Sequence, residues 1–185
     1  MEKTVEARLK EELFSTQEIF KGRIIDVQLD TVRLPDGKTA TREVVKHPGA
    51  VVVLPLTDKK EVVLVRQYRH PTGEILLELP AGKRDQGEEP LTCARRELEE
   101  ETGYRASELK VLTSFYTSPG FCDELIYLVL ARGLARGKAC PDEGEFIDEL
   151  TIPLDEAVRM VLDGEIRDAK TGFGLLACRY MVEQC

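Results

Sequence analysis

An α/β sandwich built on a mixed sheet is the fold class this 185-residue sequence predicts, and three observations predict it. The apolar runs at 50–56 and 62–65 are continuous rather than alternating, as in strands buried on both faces. A punctuated helix occupies Pro90–Thr102. Pro90 suits a first-turn position, Leu91, Ala94 and Leu98 share one face, and Gly103 stands just past the end. Two further helical stretches, 155–162 and 170–183, follow the last strands, and strands mixed with helices in this way form layered α/β architectures.

The remaining elements follow in chain order. Residues 1–16 read as a short polar helix or a frayed terminus. From Glu18 to Lys46 the pattern turns to strands, with β-formers at Ile24, Val27, Leu29, Val32 and Leu34. Pro35-Asp36-Gly37 predicts a hairpin turn at 35–38, and the strand pattern resumes from Thr39 to Val45. Residues 1–46 carry nine acids and nine bases and little apolar content. Such a segment is too thin for its own core and is expected to pack on something else. The boundaries expected are therefore an N-terminal β arm at 1–46 and a main domain at 47–185. Within the latter, 75–79, 111–116, 125–130 and 146–152 read as strands, and the polar, glycine-containing stretch 134–145 reads as a loop.

Composition excludes several function classes. The net charge of −8, from 34 acids and 26 bases, gives no basic footprint for nucleic acid. No apolar run approaches the ~20 residues of a membrane span, and the charged N-terminus is no signal peptide. Five cysteines, none at C-x-x-C spacing, argue for free thiols in a reducing cytoplasm rather than disulfides or zinc. With only His47 and His70 available, a metal here would be held by oxygen.

The helix at 90–102 carries Glu97, Glu100 and Glu101 at i, i+3 and i+4, on one face. Three such carboxylates repel one another and raise one another's pKa. A hard divalent cation, commonly Mg²⁺, would offset that cost. Glu88 lies where the incoming loop meets the helix.

Gly82, Glu88, Arg96, Glu97, Leu98, Glu100, Glu101 and Gly103 match the Nudix box: glycine, five residues, glutamate, seven residues, then Arg-Glu-apolar-x-Glu-Glu-x-Gly and an apolar residue. Tyr104 fills that last position and departs from the pattern by being aromatic. The chain thus resembles the Nudix hydrolases. The resemblance implies an α/β/α sandwich, a loop–helix–loop that binds Mg²⁺ or Mn²⁺, and cleavage of a nucleoside diphosphate linked to another moiety. It implies Glu97 and Glu101 as metal ligands, assisted by Glu100, with the backbone carbonyl of Ala81 as a further donor. Arg96 matches a residue that orients the box carboxylates, and Glu88 one that tethers the loop.

Outside the box, Ser118-Pro119-Gly120-Phe121, Arg42 to Ala50, Arg66-Gln67-Tyr68-Arg69 and Asp168-Ala169-Lys170-Thr171 resemble the ADP-ribose pyrophosphatase subfamily, closest to its bacillus-type bacterial members. Pro119, 16 residues past Gly103, matches the mark of that subfamily. Arg42 and Arg69 match ligand contacts, and a guanidinium suits phosphate because it donates two parallel hydrogen bonds. Glu124 matches a carboxylate that bonds the terminal ribose. Phe20 is the candidate to stack on adenine, with core packing as its alternative role. The general base is expected on the acidic loop at 142–146, with Glu143 first and Glu145 second, Gly144 supplying backbone latitude between them. The resemblance also implies a homodimer in which residues 1–46 are exchanged between subunits, so that Arg42 and Phe20 reach the partner's site.

The activity so implied is metal-dependent hydrolysis of ADP-ribose to AMP and ribose 5-phosphate by water. The alternatives are another nucleoside-diphosphate-sugar pyrophosphatase or, in a different class, a Nudix-like module that senses ADP-ribose without cleaving it. Such sensors tend to have lost box carboxylates, and here all are present. Residues 82–103 carry a net charge of −3 and residues 119–149 a net charge of −4, so nearly all of the surplus acid lies in the segments expected to hold metal, base and ribose.

Overall fold

The computed structural model describes residues 4–140 and 144–182. They form two compact units, one comprising the chain up to Pro48 together with Ser118–Glu124, the other Gly49–Thr117 and the chain from Leu125 onward.

The first unit begins with a short helix, α1 (Val5–Leu9), whose N-cap Thr4 accepts a hydrogen bond from the Ala7 amide. A three-stranded antiparallel sheet follows, β1 (Glu12–Lys21), β2 (Asp26–Arg33) and β3 (Thr39–Lys46), in the order β1-β2-β3. The expected hairpin is present, closed by the Leu34 amide on the Lys38 carbonyl at 2.8 Å. Strand β1 starts at Glu12, earlier than the polar sequence suggested, because pairing to the apolar-patterned β2 overrides weak local propensity. Every residue of β1 is exposed, and Val32 is the one buried apolar side chain among the described residues of this unit. Residues 118–124 join β3 through the Val45 amide on the Phe121 carbonyl (2.7 Å) and the His47 amide on Asp123 Oδ1 (2.9 Å).

The second unit contains β4 (Ala50–Pro55), β5 (Glu61–Arg69), β6 (Glu74–Glu78), β7 (Ala81–Lys83), α2 (Pro90–Thr102), β8 (Tyr104–Tyr116), β9 (Leu125–Arg136), β10 (Ile147–Pro153), α3 (Leu154–Leu162) and α4 (Ala169–Val182). Its mixed sheet has the order β7-β4-β9-β8, with β4 and β9 parallel. A second, antiparallel sheet has the order β10-β5-β6. Strand β4 is buried along its whole length. Its alternate residues serve two cores, as the continuous apolar run predicts. Val51 and Val53 pack with Cys93, Ala94 and Leu98 of α2. Ala50, Val52 and Leu54 pack with Leu64 of β5, Leu154 of α3 and Leu175 of α4. The result is the α/β/α layering expected. Two expectations are corrected. β9 runs on to Arg136, so the predicted loop at 134–145 starts three residues late, and β8 begins at Tyr104, because the two strands pair from Tyr104↔Arg136 to Tyr116↔Leu125. No helix among the described residues is long and apolar enough to cross a membrane.

Candidate active site

Helix α2 presents its acidic face against strand β7, and a glycine makes that approach possible. A β-carbon on Gly82 would lie 2.0 Å from Glu97 Oε1 and from the carboxyl carbon, so only glycine lets the Glu97 carboxylate lie over the backbone. The far end of α2 closes on Gly103, in the left-handed conformation at φ 71°, its amide bonded to the Glu99 carbonyl. The Gly137 amide donates to the Gly103 carbonyl at 2.7 Å and the Cys140 amide to the Glu100 carbonyl at 3.0 Å. Residues 137–140 are thereby fastened to the end of the acidic helix.

Arg96 organises the carboxylates. Its Nη1 donates to Glu97 Oε1 at 2.6 Å and to Glu100 Oε2 at 3.1 Å. Its Nε and Nη2 grip both oxygens of Glu88 at 3.2 and 3.1 Å. Glu88 also accepts the Asp85 amide at 3.0 Å, which ties the loop ahead of α2 to the helix. The Arg96 hydrogen bond holds the Glu88 carboxyl at about 2. Glu97 and Glu101 behave oppositely. Glu101 is 6% exposed and Glu97 9%. Burial, opposed by Arg96, pushes Glu97 up to about 7, with Glu100 and Glu145 adding repulsion. Burial and the charge of Glu97 push Glu101 up to about 8, with Glu145 again contributing, although the Ala81 amide donates to Glu101 Oε2 at 3.1 Å. Cys93, on the same helix, is inert, since burial and then Glu88 push its thiol up to about 12.

The arrangement therefore holds two buried carboxylates that resist ionisation, with the Ala81 backbone alongside. That donor chemistry fits a hard divalent cation, which would offset the charge burial disfavours. Among the described residues no three His, Cys, Asp or Glu side chains form a ready-made cage.

The sequence-predicted residues divide between the two units. Ala81, Gly82, Glu88, Arg96, Glu97, Glu100, Glu101 and Gly103 come together as described. Glu145 is exposed, and its charge acts on both Glu97 and Glu101. Glu143 lies outside the described residues. Arg69, on β5, is engaged by Glu78, whose two oxygens accept from its Nε and Nη2 at 2.7 Å each. In the first unit, Arg42 pairs with Glu11 and donates to the Thr41 carbonyl. Pro119 sits in a turn closed by the Phe121 and Cys122 amides on the Ser118 carbonyl. Glu124 lies 3.6 Å from His47 Nδ1. Phe20 is 57% exposed and joins no hydrophobic core among the described residues. Sequence reasoning missed Glu78. Its signal was an acid inside the apolar run at 75–79, where a charge that faces the core needs a partner.

Comparisons with known proteins identify the family. The NUDIX domain family matches residues 46–172, and the nucleoside diphosphate sugar hydrolase N-terminal domain family matches residues 11–45. A protein of Bacillus methanolicus called methanol dehydrogenase activator is 45% identical over 93% of this chain and 92% of its own. An ADP-ribose pyrophosphatase of Bacillus subtilis is 45% identical over 90% of this chain and 91% of its own. The fold is also that of a solved structure described as an ADP compounds hydrolase, with a TM-score of 0.84, 23% identity and 95% of each chain covered. With the box residues gathered around one buried carboxylate pair and the family match spanning most of its length, this chain belongs to the Nudix hydrolases.

Proposed function

We propose that this Nudix hydrolase cleaves the pyrophosphate of ADP-ribose by water attack, giving AMP and ribose 5-phosphate, with Mg²⁺ as its cation and Mn²⁺ as a substitute. The observation that carries the reading is the buried Glu97–Glu101 pair, braced by Arg96 over Gly82 and lacking enough positive charge of its own. The substrate class rests on the likeness to the Bacillus subtilis enzyme over nine-tenths of the chain.

A bound divalent cation would neutralise phosphate oxygens and lower the pKa of a coordinated water. Glu97 and Glu101, with the Ala81 backbone and Glu100, are the residues to hold it. Arg96 keeps Glu97 and Glu100 in place, and Glu88 fixes Arg96. Glu145 or Glu143 takes the proton from the attacking water. The electrostatic coupling of Glu145 to both box carboxylates supports a position near the reacting centre. Arg69 and Arg42 meet phosphate, Glu124 and the turn at Pro119 the terminal ribose, and Phe20 the adenine.

The arm at 1–46 serves dimerisation in this reading. Its sheet has almost no buried apolar residue and exposes Leu13, Phe14, Ile19 and Phe20, a surface that a second copy would cover. A cytoplasmic location fits the free thiols of Cys93, Cys122, Cys140 and Cys178.

The deciding experiment is a panel of nucleoside diphosphate sugars with Mg²⁺ or Mn²⁺, products separated by chromatography. ADP-ribose should give the highest kcat/KM and yield AMP. A higher value for another sugar would move the assignment to the wider class named by the match at residues 11–45. Tight binding of ADP-ribose without turnover would make the chain a sensor. Gel filtration at micromolar concentration should give a dimer, and a monomer would refute the exchanged arm.

A further inference from the structure

The Asp168-Ala169-Lys170-Thr171 motif contributes nothing to the metal face, yet its side chains are almost fully committed. Asp168 caps α4. Its Oδ2 accepts from the Thr171 amide at 3.0 Å, from Thr171 Oγ1 at 2.5 Å and from Lys170 Nζ at 2.9 Å. Thr171 Oγ1 in turn accepts the Leu79 amide at 2.8 Å, although Leu79 lies 92 residues earlier. Lys170 Nζ also donates to Glu78 Oε2. Glu78 is only 1% exposed, and both its oxygens are spent on Arg69 and Lys170.

The Arg69 side chain is still 38% exposed, and its Nη1 has no partner among the described residues. Burial alone would raise the Glu78 pKa, but the Arg69 hydrogen bond and the Lys170 charge outweigh it and keep the carboxylate ionised. Glu78, which holds Arg69, stands three residues before Ala81, whose amide donates to Glu101 Oε2 at 3.1 Å, so the guanidinium is anchored to the strand that runs into the metal face.

Arg69 and Lys170 both engage the buried Glu78, and Lys170 is held from its other side by Asp168, so the cluster balances two cations against two carboxylates. Lys170 is nearly enclosed, whereas Arg69 keeps a donor edge open. We propose that Lys170 and Glu78 are positioning residues, a clamp that fixes the Arg69 guanidinium with its free edge toward the substrate's pyrophosphate. Thr171, next to Lys170, holds the 78–81 segment through the Leu79 amide, so one helix N-terminus holds both the recognition arginine and the segment that leads into the box. This rests on the reading that the substrate carries a pyrophosphate.

The test uses the full chain and three variants, Lys170→Met, Arg69→Met and the double substitution, with ADP-ribose and Mg²⁺. Lys170→Met should raise KM about tenfold and change kcat less than threefold, the pattern of lost uniform binding. Arg69→Met should do at least as much. The double variant should match Arg69→Met alone, because residues in one network are not additive. Lys170→Arg should return KM to within about threefold of the parent. Independently of turnover, the Arg69 Nε–Hε NMR signal, assigned by its loss in Arg69→Lys, should shift or vanish in Lys170→Met. Additive KM effects, or an unmoved Arg69 signal, would overturn the clamp. A parent chain that fails to cleave ADP-ribose refutes the substrate reading instead, and the NMR signal then still decides the clamp. Should Lys170→Met not fold, Asp168→Asn loosens the same ammonium, with the same two readouts and the same outcomes.

Discussion

The Glu97 carboxylate occupies the space a β-carbon would need at Gly82, 2.0 Å from where that carbon would stand. The box glycine is thus the seat of the box glutamate, and the two positions are one steric unit. A methyl group at 82 must displace the carboxylate, which is the far end of a flexible side chain, rather than the strand. Gly82→Ala should therefore leave the fold nearly intact, with Tm lowered by less than about 4 °C. It should lower kcat about 100-fold, since displacements near 1 Å at a reacting centre cost on that order. Thermal melts alongside steady-state kinetics check this, and a variant that keeps its rate would show that Glu97 works from another position.

Arg96 serves three carboxylates at once, and its planar fork is what allows both oxygens of Glu88 to be held while Nη1 reaches Glu97 and Glu100. Lysine offers a single charge centre without that fork. Arg96→Lys should lose most of the Glu88 pairing and cost about 1–3 kcal/mol of stability, the range for charged hydrogen bonds broken at partly buried sites. Urea unfolding measures it. The Glu88 carboxyl, now held at about 2, should climb toward its ordinary 4.5, visible by NMR titration. An unmoved Glu88 would mean that the backbone amide of Asp85, rather than Arg96, sets its acidity.

The two buried carboxylates make stability depend on pH in an unusual direction. Glu97 and Glu101 titrate near 7 and 8 when folded, against an ordinary value of 4.5. A group whose folded pKa is raised stabilises fully below its unfolded pKa, and that stability is lost as pH rises through the folded value. Protein stripped of metal should thus lose at least about 5 °C of Tm between pH 6 and 9. Saturating Mg²⁺, which binds the ionised pair, should flatten the slope, and so should Glu101→Gln without metal. A flat profile in EDTA would refute the raised pKa values.

Most of the site was legible because the box is local. Arg96, Glu97, Glu100 and Glu101 lie within six residues of one helix, so 3.6-residue periodicity alone places them together. The continuous run at β4 likewise announced its two buried faces. What sequence could not expose was long-range pairing. Leu79 bonded to Thr171, and Glu78 shared by Arg69 and Lys170, join positions up to 92 residues apart, with no periodicity to mark them. β8 and β9 overran their expected ends for the same reason, since each lends the other its ladder from Tyr104↔Arg136 onward. β1 is the opposite case. A strand with every residue exposed carries no apolar alternation to read.

Glu145 is the described carboxylate outside the box whose charge bears on both Glu97 and Glu101. The chain reaches it from a segment pinned to the end of α2 by the Gly137 and Cys140 amides. In the proposed reaction such a base would act on water at the box, and removing it should slow chemistry without weakening substrate binding. Glu145→Gln should lower kcat by about 10²–10⁴ with KM nearly unchanged, the usual worth of a general base. It should also lower the Glu97 and Glu101 pKa values, because one repelling charge is gone. Glu143→Gln is the comparison, measured under the same metal and pH. If that variant loses more rate than Glu145→Gln, the proton goes to Glu143, and Glu145 tunes the box carboxylates instead.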